Sequence, residues 1–323
     1  MTLIPPRAHF CWIGTKLPWA YVFAVLSAAE HSGLPEIILH HTDALEDGAE
    51  LRALQARPGV RLDRLDPLAY LAETGGELGL GEGLATLYRA ISNPAARADI
   101  LRAAILYRQG GVYLDMDTIT TASLRPLLET RDFVGTEYIV WPKWVRSSRS
   151  PLVWARHLTL DVMRKLLRRL PNGWRAFRHV EKYCFSGVNN AVMGAEPGSR
   201  FCAAYLQAML AVPPEQVTQP YALGPDLLQD VVAHYPSAEL TLCPPETFYP
   251  LPPEISEHWF RIGKTANLAA VLLPGTRVVH WYASVRTKSR VAQISPAYVR
   301  AHRAHQLYSA LVCACLPNLL EML

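Results

Sequence analysis

The sequence predicts an α/β fold. Over about the first hundred residues, short apolar runs alternate with amphipathic stretches, which is the pattern of successive βαβ units. Half of the 323 residues are hydrophobic, which excludes a disordered or low-complexity chain. The length suits either one large α/β domain with insertions or a core with a smaller subdomain.

The N-terminal elements follow the βαβ order. Residues 8–13 (AHFCWI) form an apolar run that predicts a buried strand, and residues 20–30 have the spacing of a helix. Residues 36–40 (EIILH) and 60–65 predict two further strands.

A longer helix is predicted over residues 94–109, with Asn93 as its N-cap. Two glycines end it, and an apolar run then terminates in Asp115 and Asp117. Ligands of open α/β sheets bind beyond the carboxyl ends of the strands, so these two acids stand where chemistry is expected.

The second half of the chain changes character. Residues 146–178 carry nine Lys or Arg against one acid, interleaved with Trp, Phe and Leu, and predict a basic helical insertion at about 143–182. Further elements are predicted at 185–193, 201–211 (a helix) and 276–282 (a late strand), with a Pro-rich loop at 212–220.

Charge and cysteine content exclude several classes of protein. With 32 basic and 28 acidic residues, the net charge of +4 does not indicate a nucleic-acid binder. The six cysteines form no CxxC pair and no zinc-type spacing with histidine, which predicts a reduced, cytoplasmic chain. Neither a signal peptide nor a membrane span is predicted.

The pair Asp115 and Asp117 is the sharpest candidate site. Two carboxylates at a strand end can hold one hard cation, Mg²⁺ or Mn²⁺. Taken alone, the pair is more often two solvated turn acids, but the apolar strand before it favours a metal-bridged diphosphate. On the preceding helix, Asp99 and Arg102 share a face. They are either a surface ion pair or a carboxylate for sugar hydroxyls beside a guanidinium for phosphate oxygens.

The segment 98–118, ADILRAAILYRQGGVYLDMDT, closely resembles the sugar-binding region of glycosyltransferase family 32. The DxD-containing members of that family include yeast-type α-mannosyltransferases and many bacterial polysaccharide enzymes, and the segment also resembles the large clostridial glucosylating toxins. The opening IPPRAHFCWIG resembles the first strand of the same group. Three further segments show weaker similarity: GVNNAVMGAEPGS, ALGPDLL and VVHWYAS. The resembling segments are therefore distributed along the chain from Ile4 to Ser284.

This resemblance implies a GT-A fold, in which a Rossmann-like mixed central sheet is flanked by helices. A nucleotide-binding α/β half would be fused to an acceptor-binding half, within a catalytic domain at residues 1–290 and before a helical tail at 291–323. By this resemblance, Trp12 and Ile13 would lie by the nucleotide base, and Asp99 and Arg102 would hold the donor sugar. Asp115 and Asp117 would contact the ribose, the sugar and the metal. Asn190 would be among the catalytic residues, and Ser284 would contact the donor. His280 is either a third metal ligand or a structural histidine, and Val285 stands where the family usually has tryptophan.

The activity implied is that of a metal-dependent, retaining hexosyltransferase. It would use Mn²⁺ or Mg²⁺ and a UDP- or GDP-sugar, with a glycan, glycolipid or other hydroxyl as acceptor, in bacterial polysaccharide biosynthesis. Two alternatives stay open. One is a membrane-associated scaffold that keeps the fold without turnover, and the other is a sugar nucleotidyltransferase, although residues 4–16 lack the Gly-rich, basic signature that it needs.

The basic insertion predicts a membrane contact. Trp, Phe and Leu beside Lys and Arg are typical of a helix at an anionic surface, and residues 307–323 would assist. We therefore expect a peripheral protein at the cytoplasmic face, close to a lipid-linked acceptor. The cations assigned to this contact are Arg164, Lys165, Arg168 and Arg169, and the apolar residues are Leu158, Leu160, Val162, Leu166, Leu167, Leu170, Trp174 and Phe177. The alternative is a solvated helical hairpin that covers the acceptor side.

Overall fold

The computed structural model describes residues 3–236, 238–285 and 287–318. Its main sheet has seven strands in the order β3-β2-β1-β4-β7-β6-β8, and β5 pairs with β9 outside it. The strands are β1 Arg7–Trp12, β2 Glu36–His41, β3 Val60–Arg64, β4 Gly111–Leu114, β5 Thr118–Thr120, β6 Asp132–Ile139, β7 Phe185–Ala195, β8 Leu240–Cys243 and β9 Val278–His280.

Helices cover both faces of the sheet. They are α1 Trp19–His31, α2 Ala49–Gln55, α3 Pro67–Glu77, α4 Gly83–Ala90, α5 Pro94–Gln109, α6 Lys143–Ser147, α7 Pro151–Arg169, α8 Gly173–Val180, α9 Arg200–Ala211, α10 Pro214–Val217, α11 Pro225–His234, α12 Pro245–Phe248, α13 Lys288–Val291, α14 Pro296–His302 and α15 Leu307–Cys315. Short 3₁₀ helices lie at Arg125–Glu129, Glu181–Tyr183, Ser256–Phe260 and Leu268–Ala270.

The sheet is mixed. Strands β1 to β4 pair in parallel, whereas β7 runs antiparallel to both β4 and β6. Alternate side chains of the central strands enter two cores: Phe10, Val112 and Leu114 lie in one, and Cys11 and Tyr113 in the other. The predicted α/β architecture, a mixed central sheet flanked by helices, is confirmed.

The early element predictions hold to within one or two residues, and two later ones are wrong. The late strand is only β9, because Thr276 and Arg277 precede the strand and Trp281 follows it. β9 pairs with β5 and not with the main sheet. The Pro-rich loop contains the one-turn helix α10, since Pro214 occupies the first turn of that helix, where a proline is tolerated.

The insertion and the C-terminal segment differ in exposure. Helices α6 to α8 form the insertion, whereas α15 is buried against α1 and α14, with Tyr308 and Val312 fully enclosed. The apolar side chains of α15 are therefore already packed inside the protein and not presented to a membrane, contrary to the prediction for 307–323. Residues 319–323 lie outside the described residues. No helix among the described residues is long and apolar enough to cross a membrane.

Candidate active site

Two glycines connect α5 to β4 and so align the two acidic elements of the site. Gly110 and Gly111 have φ angles of 61° and 107°, a region that side chains disfavour. A Cβ on Gly110 would lie 2.7 Å from Pro197, and one on Gly111 would lie 2.8 Å from Arg7. Glycine at both positions therefore lets the helix that carries Asp99 lead directly into β4, the strand that Asp115 follows.

Asp115, Asp117 and His280 converge at the end of β4. One ligand atom from each lies within 4.8 Å of the others. His280 reaches this position because Thr118 of β5 pairs with it in β9. Its Nε2 lies 3.0 Å from Asp117 Oδ1, and Ala283 N donates to Asp117 Oδ2 at 2.6 Å. The predicted acids and the predicted histidine thus belong to one cluster.

Arg102 is buried beneath this cluster. Only 4% of its surface is exposed, and Nη2 donates to Asp115 Oδ1 at 2.6 Å while Nη1 donates to the carbonyl of Asn190. Its guanidinium also lies over the ring of Tyr113 at 4.6 Å and 3.5 Å from Asp99 Oδ1. The exposed ion pair considered for Asp99 and Arg102 is wrong, because both side chains are enclosed. The described contacts make Arg102 the counter-charge of Asp115.

Asp99 faces a second polar group. Asn190 Nδ2 donates to Asp99 Oδ1 at 2.7 Å, and Tyr205, 3.3 Å from the same amide, donates to the carbonyl of Leu223. A Cβ on Gly224 would lie 3.0 Å from Asp99 Oδ2. Asn190 therefore joins Asp99 to Arg102, and Gly224 leaves room for the carboxylate.

The three clustered groups titrate differently. Burial raises the pKa of Asp115 to about 7, with the Arg102 charge opposing that rise and the Asp117 carboxylate adding to it. Burial also opposes ionisation of Asp117, but His280 and the Ala283 amide hold its pKa below the usual value. His280 has a raised pKa because the Asp117 charge outweighs burial. A cation entering the cluster would relieve the repulsion between the two carboxylates.

A buried network behind His280 was not anticipated from the sequence. Glu137 accepts hydrogen bonds from Tyr282 at 2.6 Å and from Asn189 at 2.8 Å, and Tyr249 donates to Asn189 at 3.3 Å. Tyr282 has a φ of 58°, which is strained for a tyrosine, and it precedes the Ala283 amide that contacts the cluster. The signal was present, since Glu137 is an acid within the buried strand β6.

Trp12 lies at the same edge of the sheet as the cluster. Its ring packs 5.0 Å from that of Tyr21, which stacks 6.3 Å from Trp281, the residue after His280. The Nε1 atom of Trp12 is buried without a hydrogen-bond partner. Ile13 follows, half-buried, and Ser284 is exposed one residue beyond Ala283. Trp12 is thus connected through Tyr21 to Trp281, which is next to His280 in the chain.

Residues 68–134 match the family model described as the glycosyltransferase sugar-binding region containing DXD motif. The chain contains a DXD-type glycosyltransferase region. Asp99, Arg102, Asp115 and Asp117 lie inside the DXD region, whereas Asn190, His280 and the N-terminal Trp12 come from outside it. Membership of family 32 in particular stays a prediction. No curated protein sequence matches the chain.

Three solved glycosyltransferase structures are similar to the chain in fold. The PaToxG glycosyltransferase is 16% identical, with coverage of 71% of this chain and 69% of that one and a TM-score of 0.44. The UDP-bound glycosyltransferase domain of the YGT toxin is 10% identical, with coverage of 75% and 80% and a TM-score of 0.42. The galactosyltransferase LgtC, in complex with donor and acceptor sugar analogues, is 15% identical, with coverage of 92% and 99% and a TM-score of 0.40.

The residues of the cluster fit a divalent metal ion. Two carboxylates are the hard oxygen ligands that Mg²⁺ and Mn²⁺ prefer, and an imidazole nitrogen is better suited to a transition metal such as Mn²⁺. His280 Nδ1 is buried and has no hydrogen-bond partner among the described residues, so one nitrogen of the ring is not satisfied by the protein itself.

Proposed function

We propose that this protein is a metal-dependent, retaining glycosyltransferase that moves a hexosyl group from a UDP- or GDP-sugar to a hydroxyl of a glycan or glycolipid. The observation that carries the proposal is the meeting of Asp115, Asp117 and His280 within 4.8 Å, with both acids supplied by the DXD region. A scaffold without turnover would have no use for two half-buried acids held beside each other.

Asp115, Asp117 and His280 would hold a Mn²⁺ or Mg²⁺ ion, whose charge offsets the negative charge that grows on the β-phosphate as the sugar departs. The protein prepares this position in advance. Asp117 is oriented by two hydrogen bonds, and Arg102 holds Asp115 from below. Such preorganised charge needs no rearrangement during the reaction.

Asp99 is the group that we assign to the donor sugar. It is held by Asn190 and lies on the Arg102 side of the cluster, and a carboxylate there favours the positive charge of an oxocarbenium-like sugar. We assign the nucleotide base to Trp12 and Ile13 at the same sheet edge. Ser284, exposed beyond the Ala283 amide, is available to the diphosphate.

Retention of configuration is part of the proposal and needs no enzyme nucleophile. The acceptor hydroxyl would attack the anomeric carbon on the face that the diphosphate leaves, and the leaving phosphate oxygen would accept its proton. The C–O bond to the diphosphate breaks as the new C–O bond forms.

The experiment is a screen of UDP- and GDP-sugars for hydrolysis without acceptor, with Mn²⁺, with Mg²⁺ and with a chelator. We expect one donor to release its sugar only when the metal is present. Proton NMR of the first product, read before mutarotation, should show the anomer of the donor. An inverted anomer would overturn retention, and turnover that is equal in the chelator would overturn the metal assignment.

A further inference from the structure

Helix α7 differs from an ordinary surface helix, because three of its charged side chains, Asp161, Arg164 and Arg168, face the protein. Arg164 forms ion pairs with Asp161 and with Glu254, and Arg168 lies 2.8 Å from Glu257. His157 Nδ1, on the same inner face, lies 2.6 Å from the carbonyl of Val140. The polar groups of α7 are therefore largely satisfied within the fold.

The opposite face of α7 is apolar and exposed. We call it the outer apolar face and define it by Leu152, Leu158, Val162, Met163, Leu166 and, just beyond the helix, Leu170. Their exposed fractions range from 39% to 80%. Surface helices of globular proteins normally turn this stripe toward the core, so a contiguous exposed stripe indicates a binding surface.

Exposed cations lie on the same segment as the outer apolar face. Between residues 143 and 182, all of which are described, the exposed ones are Lys143, Arg146, Arg149, Arg156, Lys165, Arg169, Arg175 and Lys182. The segment contains only two acids. Asp161 is buried against Arg164 and Lys165, and Glu181 is half-buried. Lys143 pairs with Asp230 of α11. The remaining exposed cations still give the segment an excess of positive charge beside its apolar face.

We propose that the outer apolar face docks on an anionic lipid surface. Leucine, valine and methionine would enter the boundary between headgroups and acyl chains, while the exposed cations meet the headgroup phosphates. Charge complementarity favours this partner over a second copy of the chain, since self-association would bring two cationic surfaces together.

The structure corrects which residues make this contact. Leu160, Trp174 and Phe177, predicted to face lipid, are buried in the core. Arg164 and Arg168 are held in ion pairs with inward-facing acids, so they are poor probes of membrane binding. They are replaced by the residues of the outer apolar face and by three exposed arginines of the same segment, Arg149, Arg169 and Arg175, which we call the rim.

The docking surface is connected to the proposed catalytic site through β6. Glu137, behind His280, lies on this strand, and Val140 just beyond its end contacts both His157 of α7 and Glu254. If the proposed function holds, docking would bring the enzyme to the surface that carries a membrane-linked glycan acceptor. The docking itself does not depend on catalysis and is measured without substrate.

The test is cosedimentation of the full chain with vesicles of phosphatidylcholine alone or with about 30 mol % phosphatidylglycerol, at about 0.1 M and about 1 M salt. The face variant carries Leu158→Gln, Val162→Gln and Leu166→Gln. The rim variant carries Arg149→Gln, Arg169→Gln and Arg175→Gln. A matched control removes three exposed arginines from other helices, Arg52→Gln, Arg89→Gln and Arg200→Gln.

We expect the native chain and the control to bind anionic vesicles and to be released by high salt. The rim variant should bind on the order of 100-fold more weakly, at roughly fivefold per cation, and the face variant should lose binding. Circular dichroism checks that each variant is folded. Any of three results would overturn the proposal. The face variant could bind as well as the native chain, the control could lose as much binding as the rim variant, or the native chain could show no preference for anionic lipid. Binding to neither vesicle would also overturn it and would direct the search to an acidic protein.

Discussion

Arg102 offers a quantitative test of the site as it is built. Arg102→Met removes a buried guanidinium and leaves the carboxylates of Asp115 and Asp99 without their cation. Loss of one partner from a buried ion pair costs about 3–5 kcal/mol. Asp115→Asn should not destabilise the protein, because the raised pKa of Asp115 means that its ionised form costs stability in the fold, and Arg102 keeps Asp99 and the Asn190 carbonyl. The double variant should be destabilised by at least about 1.5 kcal/mol less than the sum of the two single variants.

The assay is urea unfolding followed by circular dichroism at about pH 8, above the pKa of about 7 that burial gives Asp115, so that its carboxylate is ionised. Arg108→Met is the matched control. Arg108 also lies 4.6 Å over a tyrosine ring, that of Tyr70, and contacts two glutamates, but those glutamates are exposed. Its loss should cost no more than about 1 kcal/mol. Additive effects of Arg102→Met and Asp115→Asn would refute the role of Arg102 as the buried counter-charge.

Two further predictions follow from the packing. Burial lowers the pKa of His9 to about 3, so the folded protein keeps this ring neutral. The free energy of unfolding therefore has its full contribution from His9 above about pH 6.5 and loses it as the pH falls toward 3. At about pH 5 the native chain should have lost about 2 kcal/mol that His9→Gln does not lose, and equal losses in urea unfolding would contradict this. Gly224→Ala places a methyl group 3.0 Å from Asp99 Oδ2 and should lower kcat/KM for donor hydrolysis by roughly tenfold, whereas Gly76→Ala, which meets nothing within 4 Å, should leave it unchanged. Equal activities of the two glycine variants would show that donor hydrolysis does not depend on the position of the Asp99 carboxylate.

The early fold was predictable because local patterns determine it. Apolar runs, helical spacing and the Asn93 cap depend on neighbouring residues, and the structure has β1, α1, β2 and α5 close to the expected bounds. The pair Asp115 and Asp117 was predictable for the same reason, since it directly follows a strand. Each of these signals lies within one short window of sequence.

What the sequence left open or predicted wrongly depends on contacts between distant parts of the chain. The spacing of Asp99 and Arg102 indicates a shared helix face but not that this face is covered by β7. The place of His280 depends on the pairing of β5 with β9, and the inward charges of α7 depend on Glu254 and Glu257. No local pattern contains these partners.

The central claim is that Asp117 belongs to a metal-dependent sugar-transfer site. The measurement that tests it most directly is Mn²⁺-dependent donor hydrolysis by Asp117→Asn, compared with Asp132→Asn. Both changes remove one enclosed carboxylate, but Asp132 lies at the start of β6, away from the cluster. We predict a loss of at least about 1,000-fold for Asp117→Asn and an activity within about twofold of native for Asp132→Asn. A folded Asp117→Asn protein that keeps more than about a tenth of the native rate, a barrier change of under about 1.4 kcal/mol, would contradict the account.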